Sequence, residues 1–495
     1  MITFLCGLAL LAVGGFFYGA FVERFFGVSD RPTPAFTKRD NVDYVPISTW
    51  HNELIHLLNI AGTGPILGPI QGILFGPVAF ITIPLGCILA GAVQDFMIGM
   101  ISIRHDGLQI QGLTKYYFGN TLSILFGLFT CLAVLLFGVT CVYTPGDLFV
   151  QNVLHQNIDL SNYWLWVIYG LIFTYYLIAT LLPIDKIIGR FYPYIGAFFV
   201  LTAILLFIYI FVKRLPLTEL SLENIKGLKP HFFPIFFVTV ACGIASGFHS
   251  TQATIISRTL TSERRGRAVF YNMMLAEGFI AMVWAAVTMG IINKWGISVT
   301  GGATEMLSQI VSRVLMIFSS DGNSAPAGTF GLIITTAVVL GVIALPITSG
   351  DTALRSARLM IGEALGLNQS KARNRLTVGL AIFALVAILL FVAKYINGGF
   401  TFIWRYFAWA NQTIVVFSLA VATAWCISQG KKIWVTVLPG AFYLFITSSF
   451  ILNAPIGFNL SWKLSYSLAG LLSFLYIVYF IYSQRKHCKQ KDFTK

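Results

Sequence analysis

Long apolar runs, each near 20 residues, alternate with short polar segments from one end of the chain to the other. A run of that length crosses the hydrocarbon core of a bilayer as a helix. Thirteen spans are predicted, at 2–21, 49–71, 77–103, 120–142, 162–182, 191–212, 232–255, 268–293, 328–348, 375–393, 401–427, 433–451 and 463–483. The expected fold class is an all-α polytopic membrane protein. Two spans depart from the pattern. Span 2 contains Asn59–Pro69 (NIAGTGPILGP), where Gly, Pro and Thr interrupt the apolar stretch, and span 7 is interrupted at Gly243, Gly247 and His249-Ser250-Thr251-Gln252. A helix broken within hydrocarbon must line a protein cavity or a water-filled site, because its freed N–H and C=O groups need partners. Many secondary transporters build a substrate site at the bilayer midplane from such helices.

The two breaks lie five spans apart, so they enter the membrane from opposite sides. That spacing predicts an inverted repeat of five plus five helices, spans 2–6 and 7–11. With no linker or low-complexity segment, residues 1–495 are expected to form a single membrane domain. It divides into an extra N-terminal helix and cytoplasmic loop (1–48), a first repeat (49–212), a second repeat (232–427), two extra helices (433–483) and a basic tail (484–495). Span 1 lacks a basic n-region and a small-x-small cleavage site, so it is read as a retained helix and not as a signal peptide.

Composition agrees: 57% of residues are hydrophobic and 11% charged, against about 25% charged in a soluble domain. The net charge of +14 suggests nucleic-acid binding only if its placement is ignored. With Arg375 and Lys463 at span edges counted in the adjoining loops, Lys and Arg number 24 in the loops after spans 1, 3, 5, 7, 9 and 11 and in the tail, and 8 on the other side, with Arg405 inside a span. This asymmetry puts the N-terminus outside and the C-terminus in the cytoplasm. The expected partners are the lipid bilayer and a small-molecule substrate, with no nucleic acid. Seven cysteines show no CxxC spacing and read as small apolar packers. No GxxxxGK[ST], HExxH or GxSxG motif is present, so neither an ATP-driven pump, an enzyme, a cofactor site nor a metal site is expected.

The span 2 break has a chemistry of its own. Pro65 suits the first position of a second half-helix, Thr63 can cap it, and Gly62 and Gly64 let a ligand approach the backbone. Free N–H groups and the helix dipole then favour a carboxylate. Carbonyls near Ile60–Ala61 favour a cation instead, and a kink for packing is the plain alternative. Span 7 offers Ser246, His249, Ser250, Thr251 and Gln252. His249 and His56 are candidates to carry a coupling proton, or are neutral histidines bonded to backbone. Asp95 and Glu277 are the deepest carboxylates in the spans and functional suspects for that reason. Either relays protons or pairs with a neighbour such as Arg104. Asp351, beside Thr348 and Ser349 just past span 9, suits Na⁺ or H⁺ and equally suits a helix N-cap. Arg405, Asn411 and Gln412 form a further polar stripe. Two amphipathic segments, near Thr304–Ile317 and at Thr352–Leu365, read as gates or as interfacial helices.

These residues carry a family resemblance. TPAFTKRDNVDYVPIS, HLLNIAGTGPILGPI, LAGAVQDFMIGMISIRHDG, SGFHSTQ, VFYNMMLAEGFIAMVWAA, ALPITSGDTALRSARL and FAWANQ occur in that order. The chain resembles the carbon starvation protein A (CstA) family of bacterial inner-membrane transporters over most of its length. The resemblance implies a LeuT-type fold and uptake of peptides or pyruvate during nutrient limitation, driven by a cation gradient. Carried over by position, the substrate site falls on Ala61, Gly62, Thr63, Gly64 and Pro65, and on Ser246, Gly247, Phe248 and His249. Asp95, Glu277 and Asp351 match further motif positions. The chain is shorter than the well-known members, and only His56, preceded by Ile55, stands where they often carry paired histidines. The expected function is a secondary active importer of a carboxylate-bearing nutrient in the bacterial inner membrane. Short peptides come first and pyruvate second, with H⁺ or Na⁺ as coupling ion. A starvation sensor that binds ligand without moving it is the alternative of another class.

Overall fold

The computed structural model describes residues 1–62, 64–182, 188–226, 231–296, 306, 309–310, 328–369 and 371–493. Among them, the helices are α1 (Ile2–Phe26), α2a (Thr49–Ala61), α2b (Gly64–Gly72), α3 (Ala79–Arg104), α4 (Asn120–Asn152), α5 (Tyr163–Leu181) and α6 (Ile188–Val212). They continue with α7a (Phe232–Val240), α7b (Gly247–Ile256), α8 (Glu263–Trp295), α9 (Gly328–Ala364), α10 (Ala372–Tyr395), α11 (Gly399–Ser428), α12 (Trp434–Asn453) and α13 (Trp462–Phe493). Eleven are long and apolar enough to cross a membrane, twelve with the bent α2 pair, whose halves meet at 48°. The helix α9 occupies the remaining predicted position. The segment near Thr304–Ile317 lies almost wholly outside the described residues.

Burial separates the core from the periphery. In α3, α7, α8 and α11 most of the membrane-crossing stretch is buried, whereas α10 and α13 bury little and present leucines and aromatics outward. The buried helices therefore sit inside a jacket of helices that turn apolar side chains outward. The helix α1 is fastened into this core: Phe26 stacks on Trp425 at 4.4 Å, and Gly7 packs against the Phe80 carbonyl.

The segment Thr352–Leu365 is no separate gate or interfacial helix. The helix α9 runs unbroken to Ala364, which also places Asp351 inside a helix and removes the N-cap reading. Pro346 and Gly350 resemble a helix stop in sequence, but proline is tolerated in a membrane helix when neighbours satisfy the freed carbonyl. Gly350 is there for space: a Cβ would lie 2.1 Å from the Tyr176 hydroxyl.

Buried ion pairs close the face on which α2a begins and α7b and α9 end. Asp43 lies 3.4 Å from Arg355 and 3.2 Å from Arg358, all three buried, and Arg355 also donates to the Ala179 carbonyl at 2.7 Å. Arg258, at the end of α7b, pairs with Glu363, which also accepts from the Gln109 backbone N–H. Asn52 and Thr259 bond to each other, and the Ile47 N–H donates to the Thr259 carbonyl. Arg104 pairs with Glu263 at 3.1 Å and not with Asp95. On the opposite face, Lys394 donates to Asp147 at 2.8 Å and Tyr169 donates to the same carboxylate.

Burial pushes the Asp43 carboxyl up, yet Arg358 and Arg355 beside it hold it below its ordinary value. Its folded value is thus under that of the unfolded chain, about 3.9. The stabilisation is complete above that value and is lost as pH falls through the folded one. Asp43→Asn strands two buried guanidinium groups and is expected to cost about 3–5 kcal/mol, read as a lower thermal midpoint in detergent at pH 7.

Candidate functional site

The span 2 helix breaks at Gly62, whose φ of +44° is open to glycine at little cost. Ala61 ends α2a, and Gly64 and Pro65 open α2b, the proline at an early helical position where its missing N–H costs nothing. Thr63 lies outside the described residues. Gly64, Gly68 and Gly72 share one face of α2b, and that face lies on the break of span 7. A Cβ on Gly64 would lie 2.2 Å from Cys242 Cβ, on Gly68 2.4 Å from the Val240 carbonyl oxygen, and on Gly72 2.4 Å from a Val240 methyl. The two broken helices thus meet at their breaks, through small residues that admit close backbone approach.

In span 7 the helical pattern lapses at Ile244–Ser246, and α7b restarts at Gly247. The groups freed there are satisfied by other helices. Asn411 Oδ1 accepts from Phe248 N at 2.8 Å and from Ser246 Oγ at 3.0 Å. Gln412 Nε2 donates to the Ala245 carbonyl at 3.0 Å, and Gln94 Nε2 donates to the Ser246 carbonyl and to Ser250 Oγ, both at 2.7 Å. Gly247 admits this docking, since a Cβ there would lie 2.3 Å from the Asn411 carbonyl oxygen. Phe248 packs its ring on Phe137 at 4.4 Å, and Gln252 donates to Thr251 Oγ1 at 3.0 Å.

Four predicted residues from four helices come together beside these breaks. His56 Nε2 (α2a) lies 3.5 Å from Asp95 Oδ2 (α3). The same oxygen lies 3.5 Å from His249 Nδ1 (α7b), and His249 Nε2 lies 3.5 Å from Glu277 Oε2 (α8). All four side chains are fully buried, and none of their nitrogens or oxygens has a hydrogen-bond partner. They form a line and do not converge on a point, and among the described residues no three His, Cys, Asp or Glu are placed to hold a metal ion. With both imidazoles neutral and both carboxylates ionised, the line would carry two uncompensated buried charges, each costing several kcal/mol. It reaches neutrality by holding two further protons.

The third group lies on α9. Ser349 Oγ donates to the Leu58 carbonyl at 3.0 Å, reaching the last turn of α2a. Tyr192 donates to Asp351 Oδ2 at 2.7 Å and lies 3.2 Å from the Thr348 carbonyl, while Asp351 Oδ1 has no partner. Thr348 turns its own hydroxyl to the Leu345 carbonyl.

Sequence reasoning missed Asn59 and Gln94 as site residues and gave Asn411 only a place in a polar stripe. Asn59 is buried at the end of α2a with both side-chain polar atoms unpartnered, and its place at the head of the broken motif was a usable signal. Gln94 and Asn411 cap the span 7 break from α3 and α11, a pairing no local spacing announces. Unpartnered buried polar atoms are rare in folded proteins, so their clustering on His56, Asn59, Asp95, His249 and Glu277 makes this the candidate centre. Removing the Asn411 cap by Asn411→Ala leaves the Phe248 N–H and Ser246 hydroxyl without an acceptor and is expected to cost about 1–3 kcal/mol. Gly68→Ala sets a methyl against a carbonyl that cannot move aside and is expected to cost about 1–3 kcal/mol. Thermal unfolding of the purified variants measures both.

Known proteins resemble this chain in sequence and in fold. A Haemophilus influenzae uncharacterized membrane protein is 35% identical over 336 residues, covering 58% of this chain and 90% of its own. The Escherichia coli peptide transporter CstA is 25% identical over 562 residues, covering 89% of this chain and 80% of its own. The Escherichia coli pyruvate/proton symporter BtsT is 27% identical over 325 residues, 53% of this chain and 45% of its own. Among solved structures, the Eremococcus coleocola manganese transporter superposes with a TM-score of 0.57 at 14% identity, over 91% of this chain and 99% of that one. MhsT bound to L-phenylalanine gives 0.55 at 13%, over 89% and 99%. These neighbours establish a LeuT-type fold. The profile of the family described as Carbon starvation protein CstA matches residues 1–144, 132–323 and 296–449, and the chain belongs to that family of membrane transporters.

Proposed function

We propose that the chain is a proton-coupled secondary transporter of the bacterial inner membrane that imports short peptides during carbon starvation. One observation carries the reading: the fully buried line His56–Asp95–His249–Glu277 joins both broken helices. A line that needs two protons for neutrality responds directly to a proton gradient, and breaking it apart or opening it to water changes the protons it holds. Each expected five-helix half supplies one histidine from its broken helix and one carboxylate from the next helix. Movement of one half against the other would therefore act on the protons themselves.

The same centre suits a peptide. The start of α2b presents free N–H groups and the positive end of a helix dipole to a carboxylate. The peptide ammonium finds an acceptor in Asp95 or Glu277, and Asn59 offers both a donor and an acceptor. Pyruvate is the second reading, favoured by the similarity to BtsT, and needs no ammonium partner. For the coupling ion, sodium is the second reading. The Leu58 carbonyl and Ser349 at the end of α2a, and separately Asp351, offer oxygen donors of the kind that cation prefers.

Proteoliposomes with an imposed pH gradient test the reading. Labelled dipeptide is expected to accumulate and to keep accumulating when potassium replaces sodium; transport of pyruvate alone overturns the peptide assignment. His249→Ala and Asp95→Asn are expected to reduce pH-driven uptake to background while elution volume and thermal midpoint show a folded protein. Wild-type pH dependence in both variants removes them from coupling.

A further inference from the structure

We propose that Arg405 and the cavity beside it form an outer recognition site for carboxylate-bearing solutes, distinct from the buried line and resting on the reading of the chain as an importer of such solutes. The cavity has a volume of about 460 Å³ and opens on the face opposite the Asp43 ion pairs. Gln71 from α2b and Thr239 from α7a contribute to its wall, together with Trp404 and Arg405 from α11 and Trp462 from α13. No Asp or Glu among the described residues lines it. Arg405 stands six residues into α11 with its side chain exposed, and no ion pair or hydrogen bond to a described residue holds it. A cation exposed at a cleft with apolar walls draws anions inward. A guanidinium presents paired donors to a carboxylate, and the indoles of Trp404 and Trp462 supply apolar surface for the rest of the solute. The cavity reaches inward to Ala408, one turn of α11 before Asn411. An anion held at Arg405 is thus poised above the span 7 break.

A lipid headgroup is the competing anion. A second cavity, about 790 Å³, shares Arg405 and is walled by Leu132, Leu136 and Leu389. That cavity touches neither broken helix, whereas the first touches both. The contact with α2b and α7a decides for the solute.

Intrinsic tryptophan fluorescence of the full chain in phosphatidylcholine nanodiscs provides the test. Pyruvate and L-alanyl-L-alanine are expected to give saturable changes that methyl pyruvate and L-alanyl-L-alaninamide do not. Loss of a charge-assisted pair in Arg405→Gln is expected to weaken the acids about tenfold or more, with Arg405→Lys intermediate. In proteoliposomes Arg405→Gln is expected to raise KM and spare kcat. Equal acid affinity in wild type and Arg405→Gln overturns the proposal. So does an Arg405-dependent signal from phosphatidylglycerol with none from the acids. If the acids bind through Arg405 but no uptake is seen, the transport reading fails and this site stands. Uptake with an unchanged KM in Arg405→Gln fails the site alone.

Discussion

A broken helix inside a membrane is stable only if other helices adopt its freed backbone groups, and that constraint organises this molecule. The span 7 break is held by Asn411 and Gln412 from α11 and by Gln94 from α3. The end of α2a is held by Ser349 from α9. The helices that surround the centre are those that satisfy it. Their burial follows from that duty, and the remaining helices are left to face lipid. The glycine face of α2b then lets the second break lie directly on the first.

Charge is distributed to match. One face is tied shut by arginine–carboxylate pairs, the Asp43 pairs fully buried, that reach from the loop before α2a to the ends of α7b and α9. The centre carries histidines and carboxylates spaced too far apart for direct hydrogen bonds, and the opposite face carries Arg405, unpaired among the described residues, beside an open cavity. Strong permanent pairs and loosely spaced titratable groups do different work. The first kind resists separation at any physiological pH, and the second can exchange protons without breaking a bond it already has.

Much of this was legible in the chain because membrane physics writes it into local patterns. Apolar length gave the spans, and the density of Gly and Pro at Asn59–Pro69 gave a break that the structure places at Gly62. His56, Asp95, His249 and Glu277 were each suspect alone, since ionisable residues in hydrocarbon are expensive. Their meeting was not legible, because it depends on how four helices are rotated against one another. The pairing of Asp95 with Arg104 failed for a related reason: Arg104 lies at the far end of α3 and meets Glu263 there. Asp351 misled because PITSGD spells a helix stop in water, where nothing would replace the bond that Pro346 removes. Within the packed helices of this protein the stop is overridden.

The cap on the span 7 break also has a place in time. Gln94 precedes Ser246 in the chain and is already present when the break enters the membrane, but Asn411 follows Phe248 by 163 residues. At synthesis rates of about 5–20 residues per second, roughly 10–30 s pass before the acceptor exists. Half of the break is thus satisfied at birth and half waits for a helix not yet made. Until α11 is made, the Phe248 N–H lacks the acceptor it has in the folded chain, so the break is completed only late in synthesis.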